Sequence, residues 1–403
     1  MTHTCQRKLK AGFQLITLTG LAFILPACAS TQQVSVPVET VAEDEALINR
    51  SEVVAVVASV DVATNLEQSA LRWGYELKRK EALKGLGLWV MTFDCPPGID
   101  PREASLELER LQPRATVEAN HKFLLQSGPL ETGPAFASKP RLYANQLIDW
   151  PEDGCDVTMR IGMIDGEVDP MALSRQDANI NRRGFVNDKA SQAARNHGTA
   201  VAELLVGEGR LQNAELFAAS VVAEDLNGVT YSGVEPMLRA LDWLVREDVS
   251  LINVSLAGPY NEALAKGFDL AADKGVVVVA AVGNDGPDAQ PRYPAALKSV
   301  LAATAVDSAR QIYPKAVRGQ HVDFAAPGVD VYIPTRTGGR YISGTSVAAP
   351  FVTARLAVRK RGEEISIHDI RSHLAEMTED LGEGGRDPVF GDGLITSYGQ
   401  CDT

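Results

Sequence analysis

The segment Ser343-Gly344-Thr345-Ser346-Val347-Ala348-Ala349-Pro350 sets a serine among small residues at what reads as the start of a helix. The glycine lets another backbone come close, and Pro350 is tolerated where the first helical turn leaves its donors free. A serine hydroxyl is a weak nucleophile at neutral pH and needs a base and a site for an oxyanion. Three other blocks could supply them. Ile161-Gly162-Met163-Ile164-Asp165 is a short apolar run ending in an acid. Asn196-His197-Gly198-Thr199 puts a histidine at the mouth of a helix whose buried face is Ala200, Val201, Leu204 and Leu205. The apolar residues 276–282 lead into Gly283-Asn284, a carboxamide next to the turn residues Asp285-Gly286-Pro287. The order acid, base, amide, serine is one of the chain orders known for a Ser-His-Asp triad, whose chemistry is acyl transfer.

Taken singly, each residue has a plainer use. Asp165 would be a turn or N-cap residue, His197 a helix-start residue, Asn284 a turn former and Ser346 an N-cap. The chemical reading rests on all four occurring together with their flanks. The elements that must position them are buried parallel strands ending at Asp165 and Asn284, and helices beginning at His197 and Ser346. Such strands deliver side chains at their carboxyl edge.

These blocks resemble the subtilisin-like serine peptidases (subtilases). Further blocks agree: Ile252-Asn253-Val254-Ser255-Leu256-Ala257-Gly258-Pro259, Tyr293-Pro294-Ala295, the run from Val322 to Gly328, and Phe390-Gly391-Asp392-Gly393. The similarity covers roughly residues 157–397. It implies an α/β domain with a largely parallel sheet and helices on both faces. It also implies that Ser346 attacks the scissile carbonyl, His197 moves the proton, Asp165 holds the imidazole, and Asn284 with the Ser346 backbone N–H holds the oxyanion. In that family, loss of the amide donor costs roughly 3–4 kcal/mol of transition-state stabilisation. Ser255, Leu256 and Ala257 match the strand that pairs with substrate, so a peptide is expected to bind extended beside them. The pocket walls, Leu256, Ala257 and residues 279–282, suggest a modest apolar side chain next to the cut bond.

The chain departs from the family pattern in three places. Asp165 is followed by Gly166-Glu167, where Ser or Thr and then Gly are usual. The missing hydroxyl loosens support around the acid, and Glu167 adds a negative charge nearby. Val347 stands where methionine is common, and Ala257 where glycine is frequent. Two rival functions follow: a non-catalytic envelope-binding protein that keeps the fold, and an esterase using the same groups. A pseudoenzyme commonly loses a triad member, and none is lost here. The Asn284 block and the pairing strand favour peptide over ester.

The chain has 403 residues, 45% of them hydrophobic, with a formal charge of −13. That length suits two domains, and the acidic balance argues against a nucleic-acid partner. Residues 1–29 read as an export signal, with Arg7, Lys8 and Lys10 before an apolar stretch too short for a membrane span. Ala27-Cys28-Ala29 fits ordinary cleavage, and Leu25-Pro26-Ala27-Cys28 resembles a lipoprotein box that would put a lipid on Cys28. Both readings place the mature chain in the cell envelope or outside the cell, with the membrane touched only through that lipid. Cys155 precedes the first catalytic strand and Cys401 follows the last matching block, so a disulfide between them is expected in an oxidising compartment. No metal-binding motif is present, no cofactor is expected, and the short catalytic domain leaves little room for calcium loops.

Residues 30–49 read as a polar tether. Residues 50–126 form a compact unit of pattern βαβαβ, with another short strand at Leu77-Lys78, which suggests a ferredoxin-like α+β domain. It resembles subtilase propeptides, which assist folding and inhibit, and a separate binding domain is the alternative. Residues 127–155 are a breaker-rich connector, and self-cleavage is expected between about Leu124 and Tyr143. Residues 156–399 are the catalytic domain.

Overall fold

The computed structural model describes residues 47–126, 143–186, 191–225, 227–336, 338–358, 367–396 and 401. The expected signal with Cys28, nearly all of the tether and the connector from 127 to 142 lie outside the described residues.

The N-terminal unit runs β1 (Ile48–Val57), α1 (Val60–Arg72), β2 (Glu76–Leu83), β3 (Leu88–Asp94), α2 (Pro101–Leu111) and β4 (Thr116–His121). Its antiparallel sheet has the order β2-β3-β1-β4, the ferredoxin-like arrangement. Ser59 and Asp100 cap the two helices by accepting from Val62 N and Arg102 N. The expected pattern is therefore extended: β2 is a full edge strand rather than a fragment at Leu77-Lys78. Its sequence, Glu-Leu-Lys-Arg-Lys-Glu-Ala-Leu, hides the strand because charge protects an edge. In β1, Val53, Ala55 and Val57 pack under α1 and α2, while Val54 and Val56 join the core of the larger domain. Both faces of this sheet are covered, which explains its unbroken apolar run.

After β5 (Phe123–Leu125) and α3 (Tyr143–Leu147) come β6 (Arg160–Asp165), β7 (Asn179–Gly184), α4 (Gln192–Val206), β8 (Glu215–Ser220), β9 (Ala223–Glu224) and β10 (Thr230–Ser232). Next are α5 (Val234–Arg246), β11 (Leu251–Val254), β12 (Leu256–Ala257), α6 (Glu262–Asp273), β13 (Val277–Ala281), β14 (Val300–Val306) and β15 (Phe324–Pro327). The chain continues through the hairpin β16 (Val331–Thr335) and β17 (Gly338–Ile342), then α7 (Thr345–Ala357), α8 (Ile367–Ala375), β18 (Thr378–Glu379) and β19 (Leu394–Ile395).

Among the described residues the main sheet has the order β7-β8-β6-β11-β13-β14-β15-β19-β18 and is parallel except for its last pair. Strand order reverses between β6 and β11, so the crevice at their carboxyl ends is where such sheets bind ligands. Asp165, Ser255 and Asn284 all emerge there. Cys155 and Cys401 are disulfide-bonded across 246 residues of sequence, tying the end of the connector to the end of the chain. Among the described residues no helix is long and apolar enough to cross a membrane.

Candidate active site

Asp165 ends β6 and is fully buried. His197 Nδ1 lies 2.7 Å from Asp165 Oδ1, and His197 Nε2 lies 3.0 Å from Ser346 Oγ. With the ring proton on Nδ1 donated to the carboxylate, Nε2 is left to accept from the serine hydroxyl. That is the geometry of a nucleophile joined to a general base and its orienting acid. His197 sits in the second turn of α4 rather than at its start. Ser191, accepting from Ala194 N, caps the helix and moves its beginning upstream of the expected place.

Ser346 stands in the first turn of α7, where backbone N–H groups have no partner within the helix. Pro350 falls beyond that turn, a correction to its expected place, and it removes the donor that Ser346 O would otherwise receive. The Ser255 hydroxyl fills the gap at 3.3 Å from Ser346 O. Ser255 is held in turn by Asn253 Nδ2 at 2.9 Å, and Asn253 Oδ1 accepts from Thr353 on α7 at 3.1 Å. A buried polar chain thus fixes the serine's turn from below.

Asn284 lies three residues beyond β13 rather than at the strand end expected for it. Its Oδ1 accepts from Thr345 N at 3.1 Å and from Thr345 Oγ1 at 3.0 Å. This turns the amide nitrogen the other way, and Nδ2 is buried with no hydrogen-bond partner. A donor held ready beside the serine suits a charge that develops only during reaction.

The Gly166-Glu167 departure has two structural consequences. A Cβ on Gly166 would lie 2.0 Å from Ala194 O, so the helix backbone occupies the space a serine or threonine side chain would need. Gly166 N donates to Asp165 Oδ1 at 2.5 Å, but Oδ2 is buried without a partner. The Glu167 charge is answered by Arg195, 2.8 Å away.

The groove above Ser346 is filled by the chain itself. β5 lies between β12 and β10, antiparallel to both, pairing Leu125 with Leu256, and Leu124 with Ala257 and Tyr231. Gln126 N donates to Ser255 O at 3.2 Å, and Ser346 N donates to Gln126 O at 3.1 Å. The expected pairing strand, Ser255 to Ala257, thus carries residues 123–126 of the same chain, and a carbonyl sits on the serine's own N–H. Sequence reasoning missed Gln126 and the orienting role of Thr345. Gln126 could have been marked only as the last residue before the breakers of the connector.

The N-terminal sheet also grips the ends of two helices. Asn120 Oδ1 accepts from Val234 N at the start of α5, at 3.0 Å. Glu118 Oε1 accepts from Glu262 N at the start of α6, at 3.3 Å. Asp242 on α5 accepts from Gly85 N at 2.6 Å and Leu86 N at 3.1 Å. Burial pushes the Glu118 carboxyl above its usual range, against the pull of the Glu262 N–H, and the charges of Glu262 and Glu109 add to the rise. Burial also raises Glu235, against the pull of Arg79 and Arg239.

A profile of the subtilase family matches residues 117–393. Minor extracellular protease Epr of Bacillus subtilis (strain 168) is 33% identical over 217 residues, covering 51% of this chain and 33% of that protein. Subtilisin DY of Bacillus licheniformis is 31% identical over 253 residues, covering 59% of this chain and 88% of that protein. The chain thus spans only a third of Epr but most of subtilisin DY. Among solved structures, fervidolysin from Fervidobacterium pennivorans, a keratinolytic enzyme related to subtilisin, superposes with a TM-score of 0.69 at 18% identity. That match covers 87% of this chain and 61% of the other, and at such identity it speaks for the fold alone.

Proposed function

Because this chain belongs to the subtilase family, we propose that it is a serine endopeptidase that works through an acyl-enzyme and cuts its own chain first. Ser346 Oγ attacks the carbonyl carbon while His197 Nε2 takes its proton. Asp165 Oδ1 keeps the ring proton on Nδ1 and stabilises the imidazolium. Ser346 N and Asn284 Nδ2 receive the oxyanion. His197 then protonates the leaving amine, and water releases the acyl group by the same steps in reverse.

The observation that carries self-processing is the Gln126 carbonyl, bonded to Ser346 N at 3.1 Å while residues 123–125 are paired in the groove. The bond cut is Gln126–Ser127, within the window expected from sequence. Residues up to Gln126 are then a propeptide that remains as an inhibitor, and the protein is made as a zymogen. The Cys155–Cys401 disulfide and the extracellular character named for Epr support a site of action outside the cytoplasm. The export signal, and a lipid on Cys28 where its lipoprotein box is used, belong to the same proposal.

The test is the intact mass of the exported protein beside that of its Ser346→Ala variant. The wild type should yield a fragment beginning at Ser127, and the variant should stay whole, its rate reduced about 10⁶-fold. If both stay whole, or both split at the same bond, self-processing by Ser346 is wrong.

A further inference from the structure

This inference rests on the peptidase reading above and names its substrate class. We infer that the groove selects peptides with glutamine on the acyl side of the cut bond. The Gln126 side chain is bonded at both ends. Its Oε1 accepts from Asn284 N at 2.7 Å, and its Nε2 donates to Leu124 O at 2.9 Å. The whole residue is 3% exposed, so water cannot substitute for either bond.

Each alternative side chain loses something identifiable. Glutamate would keep an acceptor for Asn284 N but set a buried negative oxygen against the Leu124 carbonyl. Leucine would fill similar space and leave the Asn284 N–H covered and unpaired. Lysine could not accept from that N–H at all. The donor is main chain, so it presents the same demand to every substrate. A polar amide thus replaces the apolar side chain expected from the pocket walls.

Four reporter peptides ending Phe-Leu-Leu-Gln, -Glu, -Leu or -Lys before the cut bond test this selectivity. The processed protein is used, with Ser346→Ala as control. A propeptide still in the groove inhibits all the peptides equally, so ratios of kcat/KM are unaffected by it. The glutamine peptide should exceed the leucine and lysine peptides about tenfold, and the glutamate peptide by more. Equal or faster cleavage of the leucine peptide overturns the glutamine selectivity and leaves the peptidase reading standing. If no peptide is cut in a Ser346-dependent way, the peptidase reading fails and the inference with it.

Discussion

The N-terminal domain touches the catalytic domain in two places that differ in kind. In the groove the contact is mostly main chain: β5 pairs with β12 and β10, and the Gln126 carbonyl meets Ser346 N. At the helix ends it is mostly side chain: Asn120 and Glu118 cap α5 and α6, and Asp242 receives Gly85 and Leu86. Main-chain pairing is open to any extended peptide, as a groove that must take substrates requires. Side-chain capping belongs to this domain alone. Cutting Gln126–Ser127 alters the first contact and leaves the second untouched. In the proposed reading, cleavage therefore ends the covalent link without ending inhibition.

The largest effect that would separate the two contacts is chemical. Asn284→Ala removes the unpaired Nδ2 donor and should lower kcat on a peptide substrate by about 10²–10³-fold with little change in KM. Propeptide docking should be unaffected, because Gln126 is bonded to the Asn284 main chain and not to its amide nitrogen. Steady-state kinetics checks the first half and native mass spectrometry of the cleaved complex the second. A matched loss in KM would mean that Asn284 shapes the ground state instead.

The converse variant acts on the helix ends. Asn120→Ala with Asp242→Ala removes one helix cap and two hydrogen bonds to backbone, together about 2–3 kcal/mol, so the propeptide should dissociate about 30–150-fold more readily. Turnover of a short peptide by the freed enzyme should not change. Titrating peptide hydrolysis against added propeptide measures both. An unaltered affinity would place the grip in the groove and cancel the contrast.

A smaller loss is expected inside the catalytic domain. Thr353→Val breaks the buried chain from Thr353 through Asn253 and Ser255 to Ser346 O. It should cost about 1 kcal/mol of stability in chemical denaturation. Self-processing should slow only slightly, because the propeptide strand still holds the groove together.

The candidate catalytic groups were legible in the sequence because each lies in a local block: a strand end, a helix turn, a glycine-flanked amide. What those blocks hide is long-range. Gln126 finds its partners at Ser255, Asn284 and Ser346, far away in sequence, and its own neighbours say only that a breaker-rich stretch follows. Pro350 looked like a first-turn proline, and the hydroxyl that replaces its missing donor comes from Ser255. The helix of α4 looked shorter because Ser191 is an ordinary serine until its bond to Ala194 N is seen. β2 escaped notice as a full strand because edge strands are charged. The ferredoxin-like order itself was legible from the alternation of strands and helices, but which face would meet the peptidase was not. The run Val53 to Val57 announces burial on two sides without naming the second partner.

The smallest effect expected is a pH dependence confined to the helix-end contact. Burial raises Glu118, with Glu262 and Glu109 beside it, and raises Glu235, which faces Arg79, Arg239 and Glu81. A carboxyl raised in the docked state prefers its proton there, so docking carries a cost wherever the pH lies above the raised value. That cost is relieved as the pH falls through the raised value and is gone below the usual carboxylate range. Docking should therefore tighten a few-fold between about pH 7 and pH 5, opposite in sign to a contact built on ion pairs alone. Separating the cleaved fragments by size at several pH values reads this directly. Glu118→Gln keeps an acceptor for Glu262 N and carries no charge. It should dock more tightly than the wild type at neutral pH and show a flatter slope. A variant with the wild-type slope would show that Glu118 is not the group that titrates, and the helix-end contact would then owe its pH response to Glu235 and its arginines.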